Sequence, residues 1–554
     1  MKKILKRTFC VFLVLAIVLC LSACKGNPSS ENGNNDDQNG VSQDVSTEVN
    51  GEGNGTSQST SSEGGKQPVT STPSSSSQQS SSSSSLSSSS TPSKELKEFE
   101  KTYRPATVQR ISEIRAAKSD IKPQGSGKAY YVSNSGKASN TGLSPSSPLA
   151  TYAQVKAKGL KSGDVIYFKR GDLWREQIEV TTPGITLTAY GDGAAPKFYN
   201  SPENSASSSM WIKTDAQNVY EYKTRINGDI GAIIFDDKEC TYKSLYSTAD
   251  QSNSTSKRYV NSYKNLKSDL QMYHDPKTNK IYVCSTNGNP AARFQSIEII
   301  RLGAAIKITA DNVTVDGLCV KYSSFGISAT STRSIVKGLT VRNCEFGWIG
   351  GNVQGEPTQT TTRYGNGIEI WGAAENFTVT NCYFWQVYDA GVTFQYRGSV
   401  SNDVKNVKFN NNVFEYCNYS IEYFYTGSNG NANSGKVYDF EIKNNHFWYA
   451  GEGLSSQRPD RSEISHIRSG WVTQGNAIKI ENNLFAISLK SLARTLDYSN
   501  IGGVYNNNTY IQYARREFAY NGNSSTPFKA DANVKSNIAS KLGDKNAKVI
   551  IVEN

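Results

Sequence analysis

The amino-acid sequence predicts an all-β protein, a right-handed parallel β-helix with one small inserted β module and a disordered N-terminal tether. A short apolar strand, then Asn or a small polar residue, then an aromatic residue recurs six times in the second half of the chain. The aromatic residues follow one another at steps of 38, 30, 33, 38 and 25 residues and are Phe346, Phe384, Phe414, Phe447, Phe485 and Tyr510. Repeats of this length are typical of solenoids, in which each unit buries its apolar face against the next.

A second strand, often opened by Gly, precedes the aromatic phrases, as at 326–330, 367–371 and 391–395. Two or three strands per turn, with Asn at the corners and loops of variable length, describe a parallel β-helix. Leucine-rich repeats are excluded because no Leu scaffold recurs. Propellers of the WD type are disfavoured because the repeats have no Gly-His and Trp-Asp marks.

Residues 1–24 predict an export signal. Basic residues at positions 2, 3, 6 and 7 precede the apolar run 9–21, which is short for a membrane span. The signal ends Leu-Ser-Ala-Cys, which resembles a bacterial lipobox, so Cys24 is predicted to become the lipidated first residue of the mature protein. The expected location is the extracellular face of the bacterial cell membrane, with a plain cleaved signal as the alternative.

Residues 25–93 consist mostly of Ser, Gly, Asn, Gln and Thr, a composition that cannot bury a core. They are predicted to form a flexible linker. Residues 94–127 are charged and mildly amphipathic, which predicts a helix or two broken at Pro105. The sequence predicts no function for this lead-in.

The remaining chain is predicted to form four parts. Residues 128–198 form the first coils, where turn dipeptides such as Gly163-Asp164 and Pro183-Gly184 flank apolar strands. Residues 199–302 form the inserted β module, 303–515 the main repeats, and 516–554 a C-terminal extension or cap. The pair His274-Asp275 is interpreted as turn chemistry between two strands of the module.

The formal net charge of +11 favours anionic partners, with a solvated surface that has no substrate preference as the alternative. Nucleic acid is not expected, because no recognised binding motif accompanies the charge. Cys344 and Cys382 occupy the same position in successive repeats and are expected about 4.8 Å apart, which allows either a disulfide or a pair of buried thiols. A zinc site is disfavoured because the cysteines form no CxxC pair.

At this point the sequence resembles a known group of proteins. The segments YYVSNSGKASNTGLSPSSPLATYAQV at 130–155, LKSGDVIYFKRGDLWREQIEV at 160–180 and GITLTAYGDGAAPKF at 184–198, together with the repeats, are similar to secreted carbohydrate-active β-helix proteins. That superfamily includes pectate, alginate and chondroitin lyases and some glycoside hydrolases. The resemblance covers most of residues 128–515 and implies an extracellular polysaccharide, from plants or elsewhere, as the substrate. It does not indicate the reaction, and no catalytic residue is carried over from it.

Aligning the Gly-opened strands places residues of successive coils in outward columns. One column contains Lys307, Ser328, Glu369, Thr393, Glu422 and Ser455, and the next contains Thr309, Thr330, Trp371, Gln395, Phe424 and Gln457. Glu369 and Glu422 are expected to project into solvent two coils apart, about 9.6 Å between backbones. With Asp389, directly before a strand, they are the candidate catalytic residues, because inverting glycosidases hold acid and base about 6.5–9.5 Å apart. The alternative is that these are ordinary strand positions.

Seven further residues are predicted to bind substrate on this face, because aromatic rings stack on sugars and polar groups fix hydroxyls. They are Arg363, Tyr364, Trp371, Gln395, Tyr396, Arg397 and Tyr425. The excursion 451–476, which contains His466 and Trp471, is expected to form a wall of the groove, or else a surface loop.

Two reactions stay open. In a hydrolase, one carboxyl group protonates the leaving oxygen while another activates water. In a uronate lyase, a basic side chain removes a proton while Ca²⁺ or an Arg neutralises the enolate. The candidate participants in a lyase are Lys307, Arg363, Arg397, Arg458, Arg461 and His466. A Ca²⁺ cofactor is left undecided because no dense Asp cluster is evident. A non-catalytic glycan-binding or adhesion protein is the alternative from a different class, and we expect a monomer.

Overall fold

The computed structural model describes residues 97–242, 245–249, 255–353, 363–397, 402–426, 435–458, 463–470, 475–496, 502–522 and 526–553. The predictions of an export signal, of lipidation at Cys24 and of a linker over 25–93 fall outside the described residues. Within the described ranges, no helix combines the length and apolar character needed to span a membrane.

Helices are few in this part of the chain. The α-helices are α1 (Glu98–Ala116), α2 (Tyr152–Lys156), α3 (Pro290–Arg293) and α4 (Val534–Asn537). Short 3₁₀ segments occur at Ser208–Met210, Tyr263–Asn265 and Gly453–Gln457, and a single π turn at Ile538–Leu542. All other regular structure is β.

The strands form three groups along the chain. The first group is β1 (Ala129–Val132), β2 (Val165–Lys169), β3 (Leu173–Trp174), β4 (Ile178–Val180), β5 (Thr186–Tyr190) and β6 (Lys197–Tyr199). The second is β7 (Trp211–Lys213), β8 (Val219–Tyr222), β9 (Ile230–Phe235), β10 (Glu239–Cys240), β11 (Leu245–Ala249), β12 (Thr255–Tyr259), β13 (Met272–Asp275) and β14 (Lys280–Cys284). The third is β15 (Ile297–Ile308), β16 (Thr314–Asp316), β17 (Cys319–Lys337), β18 (Thr340–Arg342), β19 (Glu345–Ile349), β20 (Ile368–Thr380), β21 (Tyr383–Arg397), β22 (Val404–Asn410), β23 (Val413–Thr426), β24 (Val437–Lys443), β25 (His446–Ala450), β26 (Ser465–Gly470), β27 (Ile478–Glu481), β28 (Leu484–Ser488), β29 (Ser491–Leu496), β30 (Gly503–Asn506), β31 (Thr509–Tyr513), β32 (Glu517–Gly522), β33 (Phe528–Lys529) and β34 (Lys548–Val552).

Most strands of the first and third groups pair in parallel with the equivalent strand of the next repeat, and together they build three ladders. The first ladder runs through β1, β2, β5, β16, β18, the end of β20, β22, β24, β27 and β30. The second runs through β3, β6, the start of β17, β19, the starts of β21 and β23, β25, β28, β31 and β34. The third runs through β4, the ends of β15 and β17, the start of β20, the ends of β21 and β23, β26, β29 and β32.

The recurring aromatic phrases lie where the first ladder turns into the second. At each turn an Asn takes the left-handed conformation, as Asn381 does with φ 52° and Asn444 with φ 57°, a geometry that Asn tolerates better than most residues. The aromatic residue three positions later points into the core and stacks on its counterpart. Successive ring centroids are 4.9, 4.8, 5.3, 4.9 and 5.4 Å apart from Phe346 to Tyr510. The in-register stacking predicted from these phrases is confirmed.

The residue after each corner Asn forms a second internal column. Cys382, Asn412, Asn445 and Asn483 each donate their backbone N–H to the side-chain oxygen of the next Asn in the column, at 2.9 Å. Asn508 is the last of these amides. Cys344 and Cys382 stand at the head of the column as buried free thiols, so of the two alternatives the structure has thiols rather than a disulfide.

The C-terminal residues close this column. The carboxylate of Asp544 accepts hydrogen bonds from the backbone N–H of Asn507 at 2.8 Å, the backbone N–H of Asn508 at 3.1 Å, the Asn508 side-chain amide at 3.0 Å and the Tyr510 hydroxyl at 3.0 Å. Strand β34 then pairs with β31. The open end of the amide column is thereby satisfied, as buried polar groups require.

The second group of strands departs from the parallel pattern. Strands β7, β8, β14 and β13 form a separate antiparallel sheet, and β9 pairs antiparallel with β15. This sheet has its own apolar core, which includes Trp211, Tyr222 and Met272. His274 and Asp275 lie at the end of the β13–β14 hairpin, where Asp275 accepts bonds from Lys277 and Thr278 within the turn.

Helix α1 lies along the outside of the second ladder. Its buried face stacks Phe99 against Trp448 with ring centroids 6.3 Å apart, and the buried Thr107 hydroxyl binds Nδ1 of His446 at 2.7 Å. Near its other end, Arg115 forms a double hydrogen bond to Glu345 at 2.7 and 2.8 Å. The predicted break at Pro105 is wrong: the helix continues through it, because contacts on both sides of the proline hold the helix to the sheet.

Candidate active site

The predicted outward column exists in the third ladder. Backbone pairing joins Lys307 to Ser328, Ser328 to Glu369, Glu369 to Thr393, and Thr393 to Glu422. The next member is Arg468, not Ser455 as expected. Residues 453–457 form a 3₁₀ segment outside the sheet, and β26 is the next strand of the ladder. In the second predicted column, the residue that pairs with Phe424 is therefore Gly470 and not Gln457.

The three carboxyl groups are buried, which corrects the expectation that Glu369 and Glu422 project into solvent. The exposed fraction is 8% for Glu369, 4% for Asp389 and 4% for Glu422. The excursion after β25 folds back toward them: the backbone N–H of Leu454 donates to the Gln386 side chain at 2.7 Å. Arg458, four residues after Leu454 in the excursion, contacts the carboxylate of Asp389 directly.

Glu369 is held by two neighbouring side chains. The amide of Asn366 donates to its Oε2 at 2.7 Å, and the hydroxyl of Ser328 donates to its Oε1 at 3.3 Å. Burial raises the pKa of Glu369 to about 7, the negative charge of Asp389 acts in the same direction, and the two hydrogen bonds oppose the shift. Near neutral pH this carboxyl group is therefore divided between its two protonation states.

Asp389 interacts electrostatically with both glutamates, because its negative charge raises the pKa of Glu369 and of Glu422. It forms a buried ion pair with Arg458. The guanidinium of Arg458 also lies 5.8 Å from the ring of Tyr388 and 5.6 Å from that of Tyr419. The pair thus places a positive charge, flanked by two aromatic rings, next to the carboxyl groups.

Of the two glutamates, Glu422 has the more strongly raised pKa. It accepts hydrogen bonds from Arg468 at 2.9 Å and from the Gln395 amide at 2.9 Å. Arg468 in turn binds Glu463, which also pairs with Arg494 at 2.8 Å. Burial raises the pKa of Glu422 to about 8 even though Arg468 and Arg458 favour its ionised form, with Asp389 and Glu463 opposing them.

Thr393 lies in the register position between Glu369 and Glu422. Its side chain is fully buried, and its hydroxyl finds no hydrogen-bond partner among the described residues. A buried hydroxyl in this state favours a bound water or substrate hydroxyl, because an unmade hydrogen bond costs about 1–3 kcal/mol.

Three of the predicted substrate-binding residues lie beside these groups. Trp371 shares an outward column with Gln395 and is 58% exposed, and Tyr364 is 38% exposed. Gln395 is half-buried and contacts Glu422. An open aromatic face therefore stands two residues along the strand from Glu369.

Other predicted site residues are placed elsewhere. Arg363 is buried in an ion pair with Asp229 at 2.9 Å, which corrects the expectation that it lies on the open face. Tyr396 and Tyr425 belong to the apolar core, with ring centroids 5.9 Å apart, and cannot present a face to a sugar. The side chain of Arg397 lies outside the described residues.

Two of the basic candidates for a lyase are engaged with other groups. His466 is buried against Phe447, with ring centroids 5.6 Å apart, and burial lowers its pKa to about 3, so it belongs to the core. Lys307 is two rungs from Glu369 and pairs with Glu179 of the neighbouring strand β4 at 3.7 Å. Arg461 and Trp471 fall outside the described residues.

Sequence reasoning missed four residues of the site: Asn366, Tyr419, Glu463 and Arg468. Tyr419 interacts electrically with Glu422, Asp389 and both arginines, and burial raises its pKa. In the strand Ser465–Gly470, Arg468 and Gly470 alternate with the buried Ile467 and Ser469, so pairing this strand with β23 would have found Arg468. In the described ranges, no group of three or more His, Cys, Asp or Glu side chains is arranged to hold a metal ion.

No protein-family model matches the sequence, and no curated protein matches it. Among solved structures, a GH136 lacto-N-biosidase from Eubacterium ramulus is similar at a TM-score of 0.30 and 10% identity, covering 82% of this chain and 71% of that one. A rhamnogalacturonan lyase is similar at a TM-score of 0.31 and 11% identity, covering 73% and 84%. Pectate lyase Pel9A is similar at a TM-score of 0.30 and 12% identity, covering 74% and 80%. Likeness at these TM-scores assigns no reaction, substrate or residue role to this chain.

Proposed function

We propose that this protein is a polysaccharide hydrolase in which Glu422 is the general acid and Glu369 the general base. The observation that carries the proposal is the cluster of three buried carboxyl groups in adjacent rungs, two of them with a pKa raised into the neutral range. Such shifts are typical of catalytic acids and bases, which need a pKa close to the working pH.

The pKa of Glu422 is higher than that of Glu369, as a general acid and a general base require. With a pKa of about 8, Glu422 keeps its proton at pH 7 and can give it to the leaving glycosidic oxygen. Glu369, with a pKa of about 7, is ionised in a large fraction of molecules and can take a proton from water. Asp389 supports both by adding negative charge where the substrate becomes cationic.

The spacing favours inversion of configuration. Glu369 and Glu422 are two rungs apart, about 9.6 Å between backbones, which leaves room for a water molecule between the carboxyl groups. Thr393 occupies the intervening rung, and its unpartnered hydroxyl is a suitable group to hold that water. A retaining mechanism would need the carboxyl groups about 5–5.5 Å apart.

Substrate is proposed to arrive over Trp371, whose exposed ring offers a stacking face next to Glu369. Because the carboxyl groups are closed over, binding must open the contact between Asp389 and Arg458. The 3₁₀ segment Gly453–Gln457, which directly precedes Arg458, is the element expected to move outward.

Product analysis tests the proposal. Purified protein is incubated with pectin, alginate, xylan and glycosaminoglycans, and new reducing ends are measured beside absorbance from unsaturated sugars. A hydrolase yields reducing ends without that absorbance; unsaturated ends show a lyase and overturn the proposal. Glu369→Gln and Glu422→Gln should each lower kcat by at least about 100-fold, while Glu375→Gln on the same strand β20, paired with Lys337 and Lys405 in the first ladder, keeps it.

A non-catalytic glycan-binding protein is the second candidate, and one observation favours it. Every acidic group of the cluster already has a hydrogen-bond or ion-pair partner, as in a purely structural network. Binding of a polysaccharide that yields no product of either kind would support this candidate and reject the hydrolase.

We further propose that the three ladders wind as the right-handed parallel β-helix that the sequence predicts, since parallel crossovers are almost always right-handed. The folded part is proposed to be exported and held to the membrane by a lipid on Cys24, followed by the Ser-rich linker. Labelling growing bacterial cells with a clickable palmitate analogue tests the anchor. Label is expected on the wild type and not on Cys24→Ser; label on both, or on neither, contradicts the proposal.

A further inference from the structure

A second concave site lies on the first ladder, whereas the candidate catalytic groups lie on the third. Its volume is about 900 Å³, within the range of sites that hold small ligands. Residues 119–122 after helix α1, the outer faces of β1, β2 and β5, and the loop 137–148 line it. We name it the tyrosine pocket after Tyr131, Tyr167 and Tyr190.

The three tyrosine rings form an ordered aromatic wall. Tyr131 stacks on Tyr167 with ring centroids 5.1 Å apart and planes 13° from parallel, and Tyr190 meets Tyr131 edge-on at 5.1 Å. All three residues are half-buried, so part of each remains open to the pocket. Aromatic faces of this kind suit the apolar face of a sugar ring.

One polar group of this wall is left without a partner. The Tyr167 hydroxyl donates to the backbone oxygen of Ile121 at 2.6 Å. The Tyr190 hydroxyl is buried and has no hydrogen-bond partner among the described residues. Burial raises the pKa of Tyr190 to about 12, so this hydroxyl stays protonated and can donate to a ligand oxygen.

The rim of the pocket is positively charged. Lys122, Lys137 and Lys169 line it with exposed side chains, and in the described part of the chain none has a carboxylate within 4.0 Å of its ammonium group. The acidic lining residue Asp120 already pairs with Arg342 at 2.7 Å. The ammonium groups are therefore available to an anionic ligand.

We propose that the tyrosine pocket binds a carboxylated oligosaccharide, with sugar rings against Tyr131 and Tyr167 and uronate carboxylates at Lys137 and Lys169. Neutral sugars could use the aromatic wall but would leave the ammonium groups without a partner. The site is separate from the three buried carboxyl groups, and the proposal holds whether or not those groups catalyse cleavage. In a cleaving enzyme it would keep a polymer attached between reactions and raise its local concentration.

Calorimetric titration of the full chain with hexagalacturonate and with neutral xylohexaose tests this proposal. All proteins carry Glu422→Gln, so that any cleavage at the other site is suppressed. The double substitution Lys137→Met with Lys169→Met should weaken hexagalacturonate binding by at least about tenfold, since it removes two charge-assisted contacts to carboxylates. Lys213→Met with Lys223→Met, both exposed on the inserted module, is the matched control and should bind normally.

Further measurements separate the pocket from other anion binding. Tyr190→Phe, which keeps the ring, should weaken binding several-fold without lowering the melting temperature, and added NaCl should weaken it further. Xylohexaose should bind at least about tenfold more weakly than hexagalacturonate. Equal affinities of the pocket double variant and the control, or equal affinities for the two hexamers, would overturn the proposal.

Discussion

The carboxylate of Asp544 is predicted to be worth several kcal/mol to the last rungs of the molecule. It receives four hydrogen bonds, of which those from Asn508 and Tyr510 come from residues only 1% exposed. Asp544→Ala leaves the Asn508 backbone N–H, one of the two N–H groups of the Asn508 side-chain amide and the Tyr510 hydroxyl without an acceptor, while the amide keeps its bond to the Ile480 carbonyl. At about 1–3 kcal/mol for each unmade buried bond, and allowing for partial relaxation, the free energy of unfolding should fall by about 4 kcal/mol.

The region of the molecule that loses stability is as informative as the size of the change in unfolding free energy. In a solenoid each repeat is stabilised mainly by its neighbours, so the damage should concentrate at the end of the column. Urea unfolding gives the total, and amide hydrogen exchange compares Asn508 with Asn412 in the interior. Asp544→Asn keeps the shape and one acceptor oxygen and should lose about half as much. A fall below about 1 kcal/mol for Asp544→Ala, or equal loss of protection at Asn412 and Asn508, would refute the reasoning.

Three further predictions follow from the site and the helix. The kcat/KM for a cleaved glycan should rise as Glu369 ionises near pH 7 and fall as Glu422 ionises near pH 8, giving a narrow maximum between them; a plateau through pH 9 contradicts these roles. Because both pKa values are raised above the unfolded value of 4.5, the protonated glutamates stabilise the fold at low pH, and this stability is lost as pH rises through 7 and 8. Urea unfolding of the wild type should therefore lose about 3 kcal/mol or more between pH 5 and 9, and Glu369→Gln should flatten that slope. Thr107→Val removes the hydrogen bonds to His446 and to the Trp448 indole and should cost about 2 kcal/mol in thermal or urea unfolding, whereas Val108→Thr at an exposed position of the same helix should cost little.

The repeating phrases made the ladder register predictable because they combine two local rules. Asn accepts the left-handed corner, and alternation in the following strand decides which side chains face inward. The same alternation places Ile421, Tyr423 and Tyr425 on one side and Glu422 and Phe424 on the other, so the burial of Tyr425 could also have been predicted. Its assignment to the substrate face overlooked this parity.

What the sequence could not supply was the path of the chain between strands. Local pattern does not show that residues 453–458 fold back over the carboxylates, and this return converts expected solvent-facing glutamates into buried ones with a raised pKa. The docking of helix α1 was equally hidden, since Thr107 and its partner His446 are 339 residues apart. Contacts between residues so far apart depend on the complementary shape of the two surfaces and on buried polar groups that require a hydrogen-bond partner. Neither property can be read from a short stretch of sequence.

Helix α1 runs antiparallel to the order of the rungs along the chain: its N-terminal end lies at later rungs and its C-terminal end at earlier ones. Its first turn meets Trp448 and, through Lys97, the ring of Tyr513, while its last turn meets Glu345. A ribosome delivers this helix first and its most distant contacts nearly last. During most of translation the helix therefore lacks part of its binding surface. A chain truncated before Trp448 lacks the ring on which Phe99 stacks. Complete docking of the helix therefore requires that all the rungs it contacts, up to the one that contains Tyr513, have already formed.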